Sequence, residues 1–400
     1  MRPVYLDNNA TTRADESVVA AMLPFFTDAF GNASSAHESG AVAAGAVREA
    51  RRNVMSLIGA EREQEIIFTS GATESNNAAL LSALETGGER NELVVSAVEH
   101  PAILALCAYL ETERGVNVHR IGVDSRGRLD TDAYRRALGP KTALASVMWA
   151  NNETGTIFLV PELAELAHEA GALFHTDAVQ AVGKVALDVK STQIDMLSLS
   201  GHKFHGPKGV GALYVRKGVT FRPLIRGGQQ ERGRRGGTEN VPAIVGLGKA
   251  AEQAALGLGE LQAGVRALRD RFEAGVLAGI EDCFILGDVE SRLPNTANIA
   301  FDRAEGESIL LQLGKAGVAA SLGSACTSGS TEPSHVVRAM GVPYTAAHGS
   351  VRFSFSRENS LADVEHVLEV LPAIVARARE VSPFARRRTA DRVVPEQVHV

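Results

Sequence analysis

The first half of the chain alternates short apolar runs with longer segments of helical spacing. The apolar runs predict strands over residues 65–69, 93–97, 117–123, 142–149, 172–176 and 195–199. Apolar positions recurring every three or four residues predict helices over 15–30, 37–58, 72–85, 101–113, 161–170 and from about 132. From residue 65 onward, strands and helices follow one another in turn. This alternation predicts an α/β fold with a mainly parallel sheet covered by helices.

The pattern changes after a further strand predicted over 210–215. Residues 221–240 are rich in Arg and Gly and show no periodicity, whereas residues 241 to about 280 have helical spacing. A second alternation then predicts strands over 284–286, 296–301 and 351–355 and helices over 307–315 and 361–379. We therefore expect a large domain over 15–258, a small α+β domain formed by 1–14 and 259–381, and a flexible tail over 382–400.

Composition and cysteine usage favour a protein of the reducing cytoplasm. It has 400 residues, 45% of them hydrophobic, which is enough to fill the cores of two domains. The formal net charge of −6 gives no reason to expect binding to nucleic acid or to an anionic membrane. The three cysteines lie far apart without a CxxC pair, which favours a reducing compartment. The N-terminus lacks a signal-peptide pattern, and no apolar run approaches the ~18 residues of a membrane span.

Candidate polar groups follow the predicted strands, each at a carboxyl end. Gly71 to Thr73 join a strand to a helix start, where free N–H groups and a hydroxyl can bind an anion. His100, Asn152 and Asp177 stand in corresponding places after later strands. Each motif alone has an ordinary explanation, such as helix capping, a loop histidine or an Asn-rich turn. Their shared position is the stronger argument, because open α/β sheets bind ligands at that edge.

Lys203 follows the strand predicted over 195–199. Most lysines in turns are solvated, and Lys203 taken alone fits that description. Together with the anion site, the His100 ring and a buried carboxylate at Asp177, it instead completes a pocket for pyridoxal phosphate. The lysine would attach the cofactor covalently, and the carboxylate would hold the pyridinium. Gln180, three residues after Asp177, would reach a ring hydroxyl if the chain turns helically there.

The second half adds two candidates. Cys326 lies in a Gly- and Ser-rich loop over 321–330, a setting that favours a reactive thiol over a packed one. Arg352 lies in a predicted strand, where its planar fork would suit a substrate carboxylate, the alternative being a solvated strand arginine. Cys107 and Cys283 lie in apolar patterns and are expected to be structural.

From residue 5 to about 356 the chain resembles the cysteine desulfurases of the class-V aminotransferase superfamily, most closely the NifS type. The resemblance is carried by residues 5–12, 71–75, 99–100, 151–153, 177–180, 200–203, 206–209, 236–240 and 323–326. It implies a fold-type I pyridoxal-phosphate transferase, in which a large domain with a mainly parallel, mixed seven-stranded sheet is joined to a small α+β domain. It further implies a homodimer that takes sulfur from L-cysteine and releases L-alanine.

The same resemblance implies roles for individual residues. Lys203 would attach the cofactor and move protons, His100 would stack on its ring and assist proton transfer, and Cys326 would carry the persulfide. Arg352 and Asn152 would bind the substrate. The cofactor contacts would come from Ala72, Thr73, His100, Asn152, Asp177, Gln180, Ser200, Gly201, His202, Lys203 and, reaching the neighbouring subunit's cofactor, Thr238.

The destination of the sulfur is an expectation of the same kind. An iron–sulfur scaffold protein would accept the persulfide, the NifS-type resemblance suggests one that serves nitrogen fixation, and Cys326 could act as a transient iron–sulfur ligand shared with that scaffold. General iron–sulfur assembly and tRNA thiolation remain open. The alternatives to desulfuration are selenocysteine lyase, an aminotransferase for small amino acids and a non-catalytic sulfur-assembly scaffold. The presence of Lys203, Asp177 and Cys326 argues against the last of these.

Overall fold

The structure is a computed structural model that describes residues 3–322 and 332–384. Its strands are β1 (Val4–Tyr5), β2 (Ile66–Thr69), β3 (Glu92–Ser96), β4 (Asn117–Ile121), β5 (Thr142–Ser146), β6 (Leu173–Asp177), β7 (Met196–Ser200), β8 (Gly211–Val215), β9 (Cys283–Ile285), β10 (Thr296–Phe301), β11 (Val318–Ala319) and β12 (Ser350–Ser354). Its α-helices are α1 (Glu16–Met22), α2 (Glu38–Ile58), α3 (Ala72–Thr86), α4 (Pro101–Arg114), α5 (Thr131–Ala137), α6 (Val160–Glu169), α7 (Val241–Gly279), α8 (Gly306–Lys315), α9 (His335–Ala339), α10 (Tyr344–Ala347) and α11 (Leu361–Val381).

A seven-stranded sheet in the order β2-β8-β7-β6-β5-β3-β4 forms the centre of the molecule. The strands run parallel except β8, which is antiparallel to both β2 and β7. Helices α2, α6 and α7 pack on one face of the sheet, while α3 and α4 pack on the other. Because both faces are covered, β7 is buried along its whole length. The predicted α/β class with a mixed seven-stranded sheet is therefore confirmed.

A second, smaller core lies around two short sheets. Strands β12, β10 and β9 form an antiparallel sheet, and β1 pairs in parallel with β11. Helices α8 and α11 and the C-terminal half of α7 close over the second core, where the Phe272 ring packs 4.7 Å from that of Phe353. Helix α7 is continuous across the predicted boundary at residue 258, so it contributes to both cores. The division into two domains with those limits stays a prediction.

Two further expectations differ from the structure or fall outside it. The helix predicted over 15–30 ends at Met22, because Pro24 lacks a backbone N–H and the chain tightens into a 3₁₀ turn over Leu23–Phe26. The tail predicted over 382–400 lies almost wholly outside the described residues. None of the helices in the described ranges is both long and apolar enough to cross a membrane.

Candidate active site

A cavity of about 770 Å³ opens at the carboxyl edge of the central sheet. Ten of the predicted site residues line it, namely Ala72, Thr73, His100, Asn152, Asp177, Gln180, Ser200, His202, Lys203 and Arg352. Gly201 is buried next to them, at the start of the turn that carries Lys203. Thr238 is exposed and borders a separate pocket of about 260 Å³ that also includes Ser70. Cys326, as persulfide carrier and as possible metal ligand, lies outside the described residues.

Lys203 is held against the wall of this cavity by the N-terminal segment. It ends a short 3₁₀ turn over Gly201–Lys203, directly after β7. Its Nζ donates to the backbone oxygens of Asn9, at 2.6 Å, and Ala10, at 2.8 Å. The amine is half-buried and directed by two carbonyl groups, in contrast to the solvated lysine that is usual in a turn.

The start of α3 offers the cavity backbone N–H groups. Gly71 precedes the helix with φ of 152°, and no side chain caps the first turn. A Cβ at Gly71 would meet nothing within 4 Å, so the backbone is open to an approaching ligand. Positive charge gathers on the same side, since Lys203 and Lys208 both line the cavity. The N-terminal end of the helix dipole and these cations suit a phosphate group.

His202 is kept neutral in these surroundings. Burial, assisted by the charges of Lys203 and Lys208, lowers the pKa of its ring to about 4. Its Nδ1 lies 3.1 Å from Oγ1 of Thr11, so Nε2 is left for a ligand oxygen. Ser200 lines the cavity at the end of β7.

Asp177 is a buried carboxylate at the end of β6. It accepts hydrogen bonds from Nδ2 of Asn76, at 2.7 Å, and from the backbone N–H of Val179, at 3.0 Å. Within residues 3–322 and 332–384, no Lys or Arg forms an ion pair with it. A buried carboxylate in this state is costly unless a cation approaches it. Asp177 therefore favours a ligand that brings a cationic nitrogen into the cavity.

His100 begins α4 and lines the same cavity. Its Nδ1 accepts a hydrogen bond from the N–H of Ala102 at 3.1 Å, which fixes the ring and directs Nε2 away from the helix. Burial lowers the pKa of His100, although the negative charge of Asp177 opposes this shift. A neutral, fixed imidazole can stack on a planar ring and can accept or return a proton.

Asn151 and Asn152, adjacent in sequence, have different surroundings. Oδ1 of Asn151 accepts from the N–H groups of Glu153 and Thr154, and its Nδ2 donates to Val98 O, so its side chain stabilises the loop. Asn152 lines the cavity instead. The sequence-based preference for Asn152 as the ligand-facing residue is consistent with this geometry.

Arg352 comes from β12 and brings the second core to the cavity. Its side chain is 2% exposed and lies 2.8 Å from Oδ1 of Asp7. It also donates to the backbone oxygen of Asn152 at 2.9 Å. The cavity thus lies between the two cores, with Lys203 on one side and a fixed guanidinium on the other.

Sequence reasoning missed several residues of the site. Asn9 is the main one, since its backbone oxygen accepts from Lys203 and from Nε2 of Gln180, while its Nδ2 donates to Thr296 on β10. Asn9 lies in the 5–12 stretch that carries the family resemblance, but its local pattern was only a turn-prone Asp-Asn-Asn run, which assigned it no role. Glu153 and Ser334 were also missed, and Oγ of Ser334 donates to Oε1 of Glu153 at 2.7 Å. A contact between positions 181 residues apart leaves no local pattern.

The residues present fit pyridoxal phosphate. The cofactor has a phosphate, a pyridinium, a planar ring and an aldehyde. The cavity matches these with an uncapped helix start, a buried carboxylate without a cationic partner in the described chain, an imidazole and a lysine. The described residues contain no cluster of His, Cys, Asp and Glu able to hold a metal ion.

Comparison with known proteins identifies the family of the chain. Residues 4–367 match the family described as Aminotransferase class-V. A cysteine desulfurase of Gluconacetobacter diazotrophicus is 67% identical over 384 residues, which are 96% of this chain and 96% of that protein. The cysteine desulfurase NifS of Azotobacter vinelandii is 58% identical over 384 residues, 96% of this chain and 95% of its own length. A solved NifS-like protein has a TM-score of 0.87 at 37% identity and covers 94% of this chain and 100% of its own. The chain therefore belongs to the aminotransferase class-V family and, within it, to the cysteine desulfurases.

Proposed function

We propose that this cysteine desulfurase uses pyridoxal phosphate to remove sulfur from L-cysteine, giving L-alanine and a persulfide on Cys326. One observation carries the proposal: a lysine, a buried carboxylate and an uncapped helix start face a single cavity. The chain on both sides of residues 323–331 is fixed at that cavity. Ser321 exchanges backbone hydrogen bonds with Arg352, and Ser334 bonds to Glu153. This arrangement supports the access of Cys326 to the substrate.

When bound, pyridoxal phosphate supplies covalent attachment for the substrate amine and an electron sink for the bond-breaking steps. Asp177 keeps the pyridinium nitrogen protonated, and Arg352 orients the substrate through its carboxylate. Lys203 would hold the cofactor covalently and, once its amine is free, would accept the α-proton of the substrate at Nζ. His100 would stack on the ring and exchange protons through Nε2.

The sulfur step balances without an external oxidant. The Cys326 thiolate attacks the substrate sulfur, and a new S–S bond forms. The Cβ–S bond breaks, and its electron pair stays with the carbon, which takes up a proton. Alanine leaves the site, and the substrate sulfur stays on Cys326 as the persulfide.

Cysteine variants test the proposal directly. We expect Cys326→Ala to retain bound cofactor and its visible absorbance, but to lose alanine formation by at least about a hundredfold. Cys283→Ala is the matched control and is expected to keep wild-type turnover, because Cys283 lies on β9 in the second core. Full turnover by Cys326→Ala would contradict the persulfide route and favour a lyase or an aminotransferase. Purified Lys203→Ala is expected to lose the absorbance of covalently attached cofactor.

Quaternary structure and the sulfur acceptor are further parts of the proposal. We infer a homodimer in which the exposed Thr238 reaches the neighbouring cofactor phosphate, and an iron–sulfur scaffold protein that accepts the persulfide in the cytoplasm. The likeness to the cysteine desulfurase NifS of Azotobacter vinelandii supports the desulfuration that would supply the sulfur. Enzyme loaded with ³⁵S-cysteine should transfer its label to a purified scaffold. A label that stays on the enzyme in the presence of scaffold would exclude that acceptor.

A further inference from the structure

Lys184 is a buried lysine that the proposed mechanism does not use. It lies in the turn after β6, four residues beyond Gln180, and is 7% exposed. No carboxylate in the described part of the chain forms an ion pair with it. Burial, followed by the charges of Lys203 and Arg352, lowers the pKa of Lys184 well below its usual range. Most lysines keep their ammonium in water, so burying this one has a cost that packing alone does not explain.

The Lys184 amine has two amide oxygens as partners. Its Nζ donates to Oε1 of Gln180 at 2.6 Å and to Oδ1 of Asn9 at 3.3 Å. A protonated lysine has three donors and no acceptor, and a neutral amine also donates through N–H. A neutral amine can also accept through its lone pair, but the backbone oxygen of Asn9 can only accept. Nε2 of Gln180 therefore faces Asn9, and Oε1 faces Lys184 in both states.

The orientation of Asn9 is fixed independently. Its Oδ1 accepts a second hydrogen bond from Nδ2 of Asn295 at 3.0 Å, and its Nδ2 donates to Oγ1 of Thr296 at 2.8 Å. The oxygen of Asn9 therefore points to Lys184 for reasons that do not involve Gln180. The amides of Asn9 and Gln180 therefore both turn their oxygens to Lys184, and each donor in the network faces an acceptor.

In this network, one N–H of the Gln180 amide remains available to a ligand in the cavity. Oε1 is taken by Lys184, and one hydrogen on Nε2 goes to the backbone oxygen of Asn9 at 2.9 Å. The amide nitrogen carries a second hydrogen, and the Gln180 side chain lines the cavity. A rotation of the amide by 180° would break both contacts and would present an oxygen to the ligand.

We propose that Lys184 is a positioning residue that holds the Gln180 amide with its N–H toward the cofactor's ring oxygen. The inference rests on the proposed function, because it needs pyridoxal phosphate in this cavity. An N–H donor stabilises the ionised ring oxygen, whereas the flipped amide would repel it. Lys184 therefore acts on the cofactor through Gln180 and does not touch it.

A double-mutant cycle separates this role from direct electrostatics. The variants are Lys184→Met, Gln180→Leu and their combination, each purified with pyridoxal phosphate. The readout is the pH midpoint of the visible absorbance change of the bound cofactor. We expect Lys184→Met to raise this midpoint by about half a unit to one unit, because the ring oxygen loses a hydrogen-bond donor. In the Gln180→Leu background the same substitution should shift the midpoint by less than about a quarter of that amount.

Two outcomes would overturn the inference. One is an equal shift from Lys184→Met in both backgrounds, which would mean that the lysine charge acts directly on the site. The other is the absence of a shift in Lys184→Met. If that variant fails to fold, Lys184→Gln serves instead, since it keeps a donor without the charge and should leave the midpoint near the wild-type value. A full shift in Lys184→Gln would contradict the positioning role.

The proposed function fails in a different way. Wild-type protein that binds no pyridoxal phosphate, or binds it without releasing alanine from cysteine, would refute the proposed function itself. Wild-type protein that is yellow and active, with no coupling between positions 180 and 184, would refute only the role of Lys184. Thermal unfolding of the cofactor-free proteins completes the control, because a purely structural role would lower the unfolding temperature and leave the midpoint unchanged.

Discussion

At the scale of single residues, Glu99 shows how the fold changes an ordinary carboxyl group. Its side chain is fully buried, and Oε1 accepts from Oγ of Ser96 at 2.6 Å and from the N–H of Met148 at 2.8 Å. Oε2 has no partner among the described residues. Burial raises the pKa of Glu99 to about 8, against the effect of the two hydrogen bonds. The group is therefore mostly protonated at neutral pH, in the residue that immediately precedes His100.

The protonated Glu99 predicts a pH-dependent stability. In the unfolded chain this carboxyl ionises near 4.5, so between that pH and about 8 the folded state binds more protons. The free energy of unfolding of the wild type should therefore fall as pH rises through this window. Glu99→Gln copies the neutral acid and should escape the fall, so its advantage over wild type should grow by a few kcal/mol from pH 5 to pH 8. Urea unfolding at four pH values measures this.

The control for that prediction is Glu16→Gln, whose side chain is 88% exposed on α1. This variant changes the same residue type at an exposed position, and it should not show the large gain over wild type that is expected of Glu99→Gln. A constant difference between Glu99→Gln and wild type from pH 5 to pH 8 would show that Glu99 is ionised in the folded protein.

At the scale of elements, α2 and α7 cross so closely that one glycine is required. A Cβ on Gly248 would lie 2.4 Å from Cα of Ala50, which is backbone and cannot move aside. Gly257 lies further along the same helix, and a Cβ there would meet nothing within 4 Å. We predict that Gly248→Ala lowers the free energy of unfolding by about 1–3 kcal/mol. Gly257→Ala should raise it by about 0.5–1 kcal/mol through helix propensity. Chemical denaturation measures both, and equal effects would contradict the close crossing.

A buried ion pair fixes the Arg- and Gly-rich segment to the rest of the fold. Glu231 accepts from both terminal nitrogens of Arg51, at 2.7 and 2.6 Å, and from the N–H of Phe68 at 3.1 Å. The side chains of the pair are only 7% and 3% exposed. We predict that Glu231→Gln destabilises the protein by about 3–5 kcal/mol, since Arg51 would keep a buried charge without a counter-ion. Glu85→Gln breaks the exposed pair with Arg226 and should change stability by less than about 0.5 kcal/mol. Similar losses of unfolding free energy in the two variants would show that the buried pair contributes no more to stability than the exposed pair.

Sequence patterns predict elements of this fold better than they predict its connections. The strands and long helices follow from local apolar periodicity. The helical turn after Asp177 was only a condition for the expected role of Gln180, and the structure has it, since Val182 N–H donates to Ala178 O. Local periodicity does not predict the strand order, because no local pattern indicates that β8 lies antiparallel between β2 and β7. The site divides in the same way. Side chains at strand ends were predicted, whereas Asn9 reaches Lys203 only through a fold that brings positions 194 residues apart together.

At the scale of the whole molecule, the cavity depends on two cores that contribute different groups. Lys203, Asp177 and His100 follow strands of the central sheet, whereas Arg352 belongs to β12 in the second core. The Asn9 side chain and Arg352 link the two sides through hydrogen bonds to Thr296 and to the backbone of Asn152. Substitutions in the core of the central sheet should therefore affect mainly cofactor binding, and substitutions in the second core should affect mainly substrate binding.

A matched pair of substitutions, one in each core, tests whether the two cores have these separate roles. Phe272 on α7 packs against Phe353, the neighbour of Arg352 in β12, and Phe174 lies in β6 three residues before Asp177. Phe272→Leu should shift β12 slightly and raise the KM for cysteine severalfold, while the absorbance of the bound cofactor stays unchanged. Phe174→Leu should instead weaken cofactor retention and alter its absorbance, with a smaller effect on KM once cofactor is saturating. Both substitutions are expected to lower the free energy of unfolding by about 1–2 kcal/mol. A difference between their effects on KM and on absorbance therefore cannot come from a difference in stability. Steady-state kinetics and spectra recorded on the same samples measure both effects, and parallel changes in the two variants would mean that the interior responds as a single unit.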